Sequence, residues 1–100
     1  MVNETVSLLR SFISSRTVIS FEYNGGRRTV EPYCLGINHK GNTVLRAYQL
    51  EGYSETNTPT GWKMFLVPSI NLIEFSFQSF QIRSQYNPND KAMVEILERV

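Results

Sequence analysis

Apolar residues recur at three- and four-residue spacing near the start of the chain, at Val6, Leu9 and Ile13 with Leu8 and Phe12 beside them. That period predicts an amphipathic helix over residues 1–15. Asn3 offers the side-chain acceptor that caps such a helix, and Ser14, Ser15 and Arg16 end it. From Thr17 the period falls to two. Ile19, Phe21 and Tyr23 alternate with Val18, Ser20 and Glu22, as in a strand with one buried face. Asn24-Gly25-Gly26 then supplies the positive-φ residues of a tight hairpin, so the first strand pairs with the next.

A second strand is predicted over 27–37, where Pro32 marks an edge, a bulge or a bend because it lacks a ladder donor, and Gly36 suggests a further kink. A turn over 39–42 leads to a third strand at 43–50, dense in β-formers. Residues 51–60, rich in Gly, Ser, Asn and Thr with Pro59, read as a loop. A fourth strand follows at 62–67, and 70–77 forms either a fifth strand or a short helical turn leading into one. In the tail, Asn87-Pro88-Asn89-Asp90 resembles a helix cap with proline at the first helical position, which predicts a helix over 87–99. Its stripe of Met93, Ile96, Leu97 and Val100 would pack over a barrel mouth, on the first helix or on a second copy. The fold class is therefore mainly β with flanking helices (α+β). Residues 1–100 form one domain, with a small, strongly bent barrel of about five strands over 16–84.

The length of 100 residues fits one domain with a modest core, and a charged fraction of 19% argues against disorder. Net charge is only +1, yet Arg10, Arg16, Arg27, Arg28, Lys40 and Arg46 face only Glu22 and Glu31 over 10–46. That imbalance permits an anion-binding face but falls short of the footprint of a dedicated duplex binder. Cys34 is the single cysteine, so no intrachain disulfide forms and a reduced cytoplasm is the default. The first residues lack the pattern of a signal peptide, and no stretch approaches the roughly 20 apolar residues that span a bilayer. A soluble cytoplasmic protein without membrane partners is expected.

Catalysis finds little support. His39 is the sole histidine, in a predicted exposed turn, and a dyad with Cys34 has no orienting third group. One cysteine and one histidine cannot fill a usual metal site, so neither metal nor cofactor is expected, and the chain reads as a non-enzyme. The strands offer more for binding. Arg28 and Tyr33 come from strand two, Arg46 and Tyr48 from strand three, and Trp62 and Lys63 from strand four. Guanidinium groups fork onto phosphate oxygens and rings stack on bases, so this mixture suits a nucleotide or a single strand of nucleic acid. Alternation sorts the set. Arg46 and Tyr48 share a face, opposite Leu45, Ala47 and Gln49, whose buried amide needs a partner. Arg28 and Tyr33 oppose one another unless a bulge near Pro32 intervenes, and Trp62 and Lys63 alternate too. Trp62 is either a barrel plug or a stacking platform. One of Arg27 and Arg28 is expected to pair across the strands with Glu22.

Several segments together resemble one family. Arg28-Thr29-Val30-Glu31-Pro32-Tyr33, then Gly41-Asn42-Thr43-Val44-Leu45-Arg46-Ala47-Tyr48, Trp62-Lys63-Met64-Phe65 and the tail Tyr86-Asn87-Pro88-Asn89-Asp90-Lys91-Ala92-Met93 are similar to a WYL domain. The resemblance spans about 15–100 and is to the stand-alone bacterial or phage type, with only a helix where transcription regulators carry a winged-helix domain. It implies an Sm-like barrel and a ligand-sensing or regulatory role, several relatives binding single-stranded nucleic acid or nucleotides. The resulting expectation is an anionic ligand gripped by Arg28, Arg46 and Lys63 at its phosphates and by Tyr48 and Trp62 at its ring, with Tyr33 joining the site if strand two is irregular. Three such contacts predict a salt slope of about −2 on a single strand. The alternative is a protein-interaction module that forms a homodimer or docks a separate effector protein without a small ligand.

Overall fold

The computed structural model of the protein describes residues 2–54 and 58–100, with the helix's side chains described from Glu4 onward. The Asn3 side chain expected to cap the first helix lies outside them. Helix α1 (Val2–Ser14) buries Leu9 and Ile13 completely, as its period requires. It is followed by β1 (Thr17–Tyr23), β2 (Gly26–Asn38), β3 (Thr43–Gly52), β4 (Gly61–Leu66), a single 3-10 turn (Val67–Ser69), β5 (Asn71–Ser79) and β6 (Met93–Arg99). The fifth element is thus a strand preceded by a short helical turn. Of the loop expected over 51–60, residues 51 and 52 belong to β3 and 55–57 lie outside the described residues.

All six strands pair antiparallel in one sheet of order β4-β3-β2-β1-β5, with β6 added to β2. The long strand β2 makes this possible. Its residues 26–30 pair with β1 and its residues 34–38 with β6, while β3 runs along both halves. The expected barrel is corrected in one respect: β4 and β5 end the sheet without pairing, so the sheet is open. No helix among the described residues is long and apolar enough to cross a membrane.

The expected helix at 87–99 is also corrected, because residues 93–99 are strand β6. Two bulges explain the misleading period. Glu98 and Ile96 pair with Leu35 and Gly36, and Glu95 and Met93 with Ile37 and Asn38, so Leu97 and Val94 are each extra in the ladder. Each extra residue shifts the two-residue alternation by one. The apolar positions Met93, Ile96, Leu97 and Val100 then fall at helical spacing although the chain is extended. The supposed cap is turn chemistry: Asn89 N–H donates to Asn87 Oδ1 at 3.0 Å and Ala92 N–H to Asp90 Oδ1 at 3.0 Å. Gly36 lets β6 close in, since a Cβ there would overlap the Glu95 carbonyl oxygen.

The curled sheet carries cores on both faces. Against α1 lie Ile19, Phe21, Tyr23, Val30, Leu35, Leu45, Ala47 and Phe65. On the other face Val18, Tyr33 and Phe80 pack with Tyr48, Trp62, Tyr86 and Val100. Pro32 sits at a bulge, as its missing donor suggested: Pro32 pairs with Ala47 and Cys34 with Arg46, which leaves Tyr33 out of the β3 register. Arg27, not Arg28, makes the cross-strand pair with Glu22, at 3.7 Å, and also reaches Glu74 at 2.9 Å.

Candidate ligand-binding cleft

Alternation along β3 turns Arg46 and Tyr48 to the face away from α1, and antiparallel pairing sets Trp62 of β4 opposite Tyr48. The Tyr48 and Trp62 rings meet edge to face, with centroids 5.3 Å apart. Tyr33 at the β2 bulge is the floor. It is fully buried, its ring lying 4.7 Å from Trp62, 5.1 Å from Phe80 and 4.9 Å from Tyr86. Four of the six residues expected from the sequence therefore converge: Tyr33, Arg46, Tyr48 and Trp62.

Arg28 and Lys63 do not join them. The Arg28 side chain is buried on the α1 face, its guanidinium 5.3 Å, 5.2 Å and 5.8 Å from the ring centres of Tyr23, Tyr53 and Phe65, and its Nη2 donates to the Tyr23 carbonyl at 3.0 Å. The bulge near Pro32 thus leaves Arg28 and Tyr33 on opposite faces. Lys63 pairs with Ala47, across the strand from the cleft side, and its Nζ donates to the Thr58 carbonyl at 2.7 Å. Gln49 is fully buried and finds its partner in the Tyr53 carbonyl at 2.9 Å.

Residues 80–92, between β5 and β6, complete the site. Arg83 Nε donates to Glu31 Oε1 at 2.9 Å, and its guanidinium carbon lies over Tyr48, 3.7 Å from the ring centre. The Arg83 N–H donates to Tyr33 Oη at 2.9 Å. Farther along, Asp90 accepts from Arg46 Nε at 2.8 Å and Nη2 at 3.3 Å, a two-point fork. Arg46, Trp62, Gln85, Tyr86, Asn87 and Asp90 line a cleft of about 210 Å³. That is below the roughly 300–1,000 Å³ that encloses a drug-sized ligand, so the cleft as it stands does not enclose a whole nucleotide.

The electrostatics follow from burial and pairing. The Arg46 fork holds the Asp90 carboxyl below its ordinary value, against a smaller opposing push from burial. Its contribution to stability is therefore present above the unfolded value of about 3.9 and is lost as pH falls through the lowered folded value. Burial raises the Cys34 thiol, which lies 3.4 Å from Met93 Sδ. The Tyr86 hydroxyl is buried beside that thiol with no partner of adequate hydrogen-bond geometry, and burial, then Cys34, push it up to about 12. Tyr33 is raised as well, chiefly by burial. A raised folded value means stability that is complete below about pH 10 and drains away above it. In an alkaline titration followed by tyrosinate absorbance and circular dichroism, Tyr33 and Tyr86 of the five tyrosines should ionise late, together with loss of the fold. Ionisation of Tyr33 and Tyr86 near about pH 10 while the fold persists would contradict this burial.

The sequence reading missed Glu31, Arg83, Gln85, Tyr86, Asn87 and Asp90. Glu31, Tyr86, Asn87 and Asp90 stood inside the quoted motifs, but 80–92 has no period to place it, and Asn87 and Asp90 read equally well as a cap. Among the described residues no cluster of histidine, cysteine and carboxylates could hold a metal. No family model, curated protein or solved structure matches this chain.

Proposed function

We propose that this chain is a small ligand-sensing module of the WYL type that takes a nucleotide, or one nucleotide of a single strand, in the cleft beside Trp62. The observation that carries the reading is the placing of Trp62 and Arg46 on one cleft with the amides of Gln85 and Asn87. A flat ring stacks on Trp62, the Gln85 amide meets its polar edge, and the Arg46 guanidinium, forked by Asp90 in this structure, takes its phosphate. Because Arg28 and Lys63 lie elsewhere, Arg46 alone is assigned a phosphate, which lowers the expected salt slope on a single strand to about −0.7. A binding module is preferred to an enzyme. Cys34 is fully buried, and the His39 ring faces the Lys91 carbonyl at 3.1 Å, so neither serves the other.

Trp62 is the only tryptophan, so its fluorescence reports on the cleft. Titration with mononucleotides and short single-stranded DNA and RNA across a salt series is expected to give a saturable change for at least one class. By calorimetry, Trp62→Ala should weaken that ligand roughly 5- to 150-fold, the equivalent of about 1–3 kcal/mol of stacking. No saturable response from any of these ligands would remove the proposal.

A second reading rests on a different face. Leu72, Phe75 and Phe77 on β5, at the end of the sheet, are exposed, Phe77 completely, and Phe75 stacks on Phe12 at 5.7 Å. An apolar edge of this kind suits a protein partner. The stripe first considered for that role is unavailable, because Met93 is buried and Ile96, Leu97 and Val100 pack against the cores. A solution mass separates the readings: a stable oligomer without any ligand response favours the second.

A further inference from the structure

Residues 80–92 form neither helix nor strand, yet they cross the face that carries Tyr33, Tyr48 and Trp62. Their grip has two parts. At 80–83 the anchors are Phe80, packed on Tyr33, and Arg83, held by Glu31 and stacked on Tyr48. At 86–90 they are the Tyr86 ring, near Tyr33 and Trp62, and the Asp90 carboxylate on Arg46.

The second part has the outline of a ligand. A flat ring on Trp62 and an anion forked onto Arg46 are the two features assigned above to a nucleotide. Trp62 and Tyr86 lie 6.2 Å apart at ring centres, inclined by 29°. Placing a third ring between two others takes about 7 Å, twice a van der Waals contact, so none fits between them. The buried, unpartnered Tyr86 hydroxyl adds a desolvation cost to the closed arrangement that is relieved when the ring lifts. Further ties are the Tyr86 N–H bond to the Arg83 carbonyl at 3.0 Å, the packing of Tyr86 near Cys34, Val44 and Met93, and two exposed contacts, Arg99 Nη1 with the Pro88 carbonyl at 2.8 Å and His39 with the Lys91 carbonyl.

We propose that residues 86–90 are an internal competitor for the cleft: Tyr86 occupies the ring position on Trp62 and Asp90 the phosphate position on Arg46, and a ligand binds by displacing both while Phe80 and Arg83 stay anchored. This rests on the nucleotide reading of the cleft. A ligand that binds only the open form has its affinity reduced by the fraction of molecules that are open, so weakening the closed form tightens binding.

The test uses Cys34, the single cysteine, which is fully buried beside Tyr86 and Met93. Saturating adenosine monophosphate, or a short oligothymidylate, is expected to speed maleimide labelling of Cys34 in the unaltered protein. Asp90→Asn keeps an acceptor for the Ala92 N–H but removes the charge. It should raise the labelling rate without ligand, leave amide exchange in β1 unchanged, and tighten adenosine monophosphate roughly tenfold, as loss of a charge-assisted contact allows. The gain should extend to adenosine, which carries no phosphate, because the ring position is freed together with Arg46. Binding with unchanged or slower labelling, or a gain confined to the phosphorylated ligand, overturns the competitor and leaves the cleft reading intact. Absence of binding by every probe overturns the cleft reading and the competitor with it.

Discussion

Tyr33→Ala is expected to cost about 3–5 kcal/mol of folding stability, a large share of the roughly 5–15 kcal/mol available to a domain. The ring is fully buried and touches Trp62, Phe80 and Tyr86, which come from β4 and from the start and middle of the 80–92 segment. No neighbouring side chain can collapse into the space without leaving its own partners, so most of the cavity would persist. The hydroxyl adds a separate contribution. It accepts the Arg83 N–H at 2.9 Å and donates to Glu31 Oε1 at 3.3 Å, next to the carboxylate that holds the Arg83 guanidinium. Tyr33→Phe keeps the rings together and loses only these bonds, for an expected loss of about 1–2 kcal/mol. Urea midpoints at unchanged slope measure both. If Tyr33→Ala moved stability by less than about 1 kcal/mol, a change typical of an ordinary surface position, the second core would have to rest on other residues.

Tyr33 also marks where the sequence ceased to be legible. The helix, β1 and β3 follow from local period, because each has one mainly buried face, whereas β2, buried without a break from Val30 to Gly36, was placed by its flanking turns. Arg46 and Tyr48 could be placed on one face from β3 alone, since every pair from Val44 with Leu66 to Gln49 with Gly61 keeps an unbroken register with β4. Bulges defeat the same reasoning elsewhere. On β2 the residue that leaves the ladder is Tyr33 itself, and on β6 the extra Leu97 and Val94 gave an extended strand a helical spacing. The open sheet was hidden for another reason. Closure depends on whether β4 reaches β5, a contact between distant segments that no local pattern encodes. The partners of the basic residues were hidden similarly: Asp90 lies 44 positions from Arg46, and Arg83 lies 52 from Glu31. A basic residue therefore reads as a ligand contact until its own carboxylate is found.

Arg28 shows the same effect in its strongest form, and Gly52 is the residue that tests it. Gly52 has φ +111°, a conformation that side chains rarely adopt, and a Cβ there would overlap the Arg27 carbonyl oxygen and lie 3.0 Å from Arg28 Cα. This close approach carries the chain back so that the Tyr53 N–H donates to the Arg27 carbonyl at 2.9 Å and the Tyr53 ring covers the Arg28 guanidinium. Gly52→Ala must therefore bear both the backbone strain and the overlap, which together are expected to cost about 2–5 kcal/mol. Gly25→Ala is the control. It has φ +92° but nothing within 4 Å of a Cβ, so it should show the backbone cost alone, about 1–2 kcal/mol. Equal losses in the two variants would show that the approach of Gly52 to β2 is not what seats Tyr53. The larger loss for Gly52→Ala should be accompanied by faster amide exchange at Tyr53, while the nucleotide binding proposed for the cleft should change by less than about twofold, worth less than about 0.5 kcal/mol. That pairing follows from position: Arg28 stabilises the α1 face of the sheet through its ring contacts, and the cleft with Arg46 and Trp62 lies on the other.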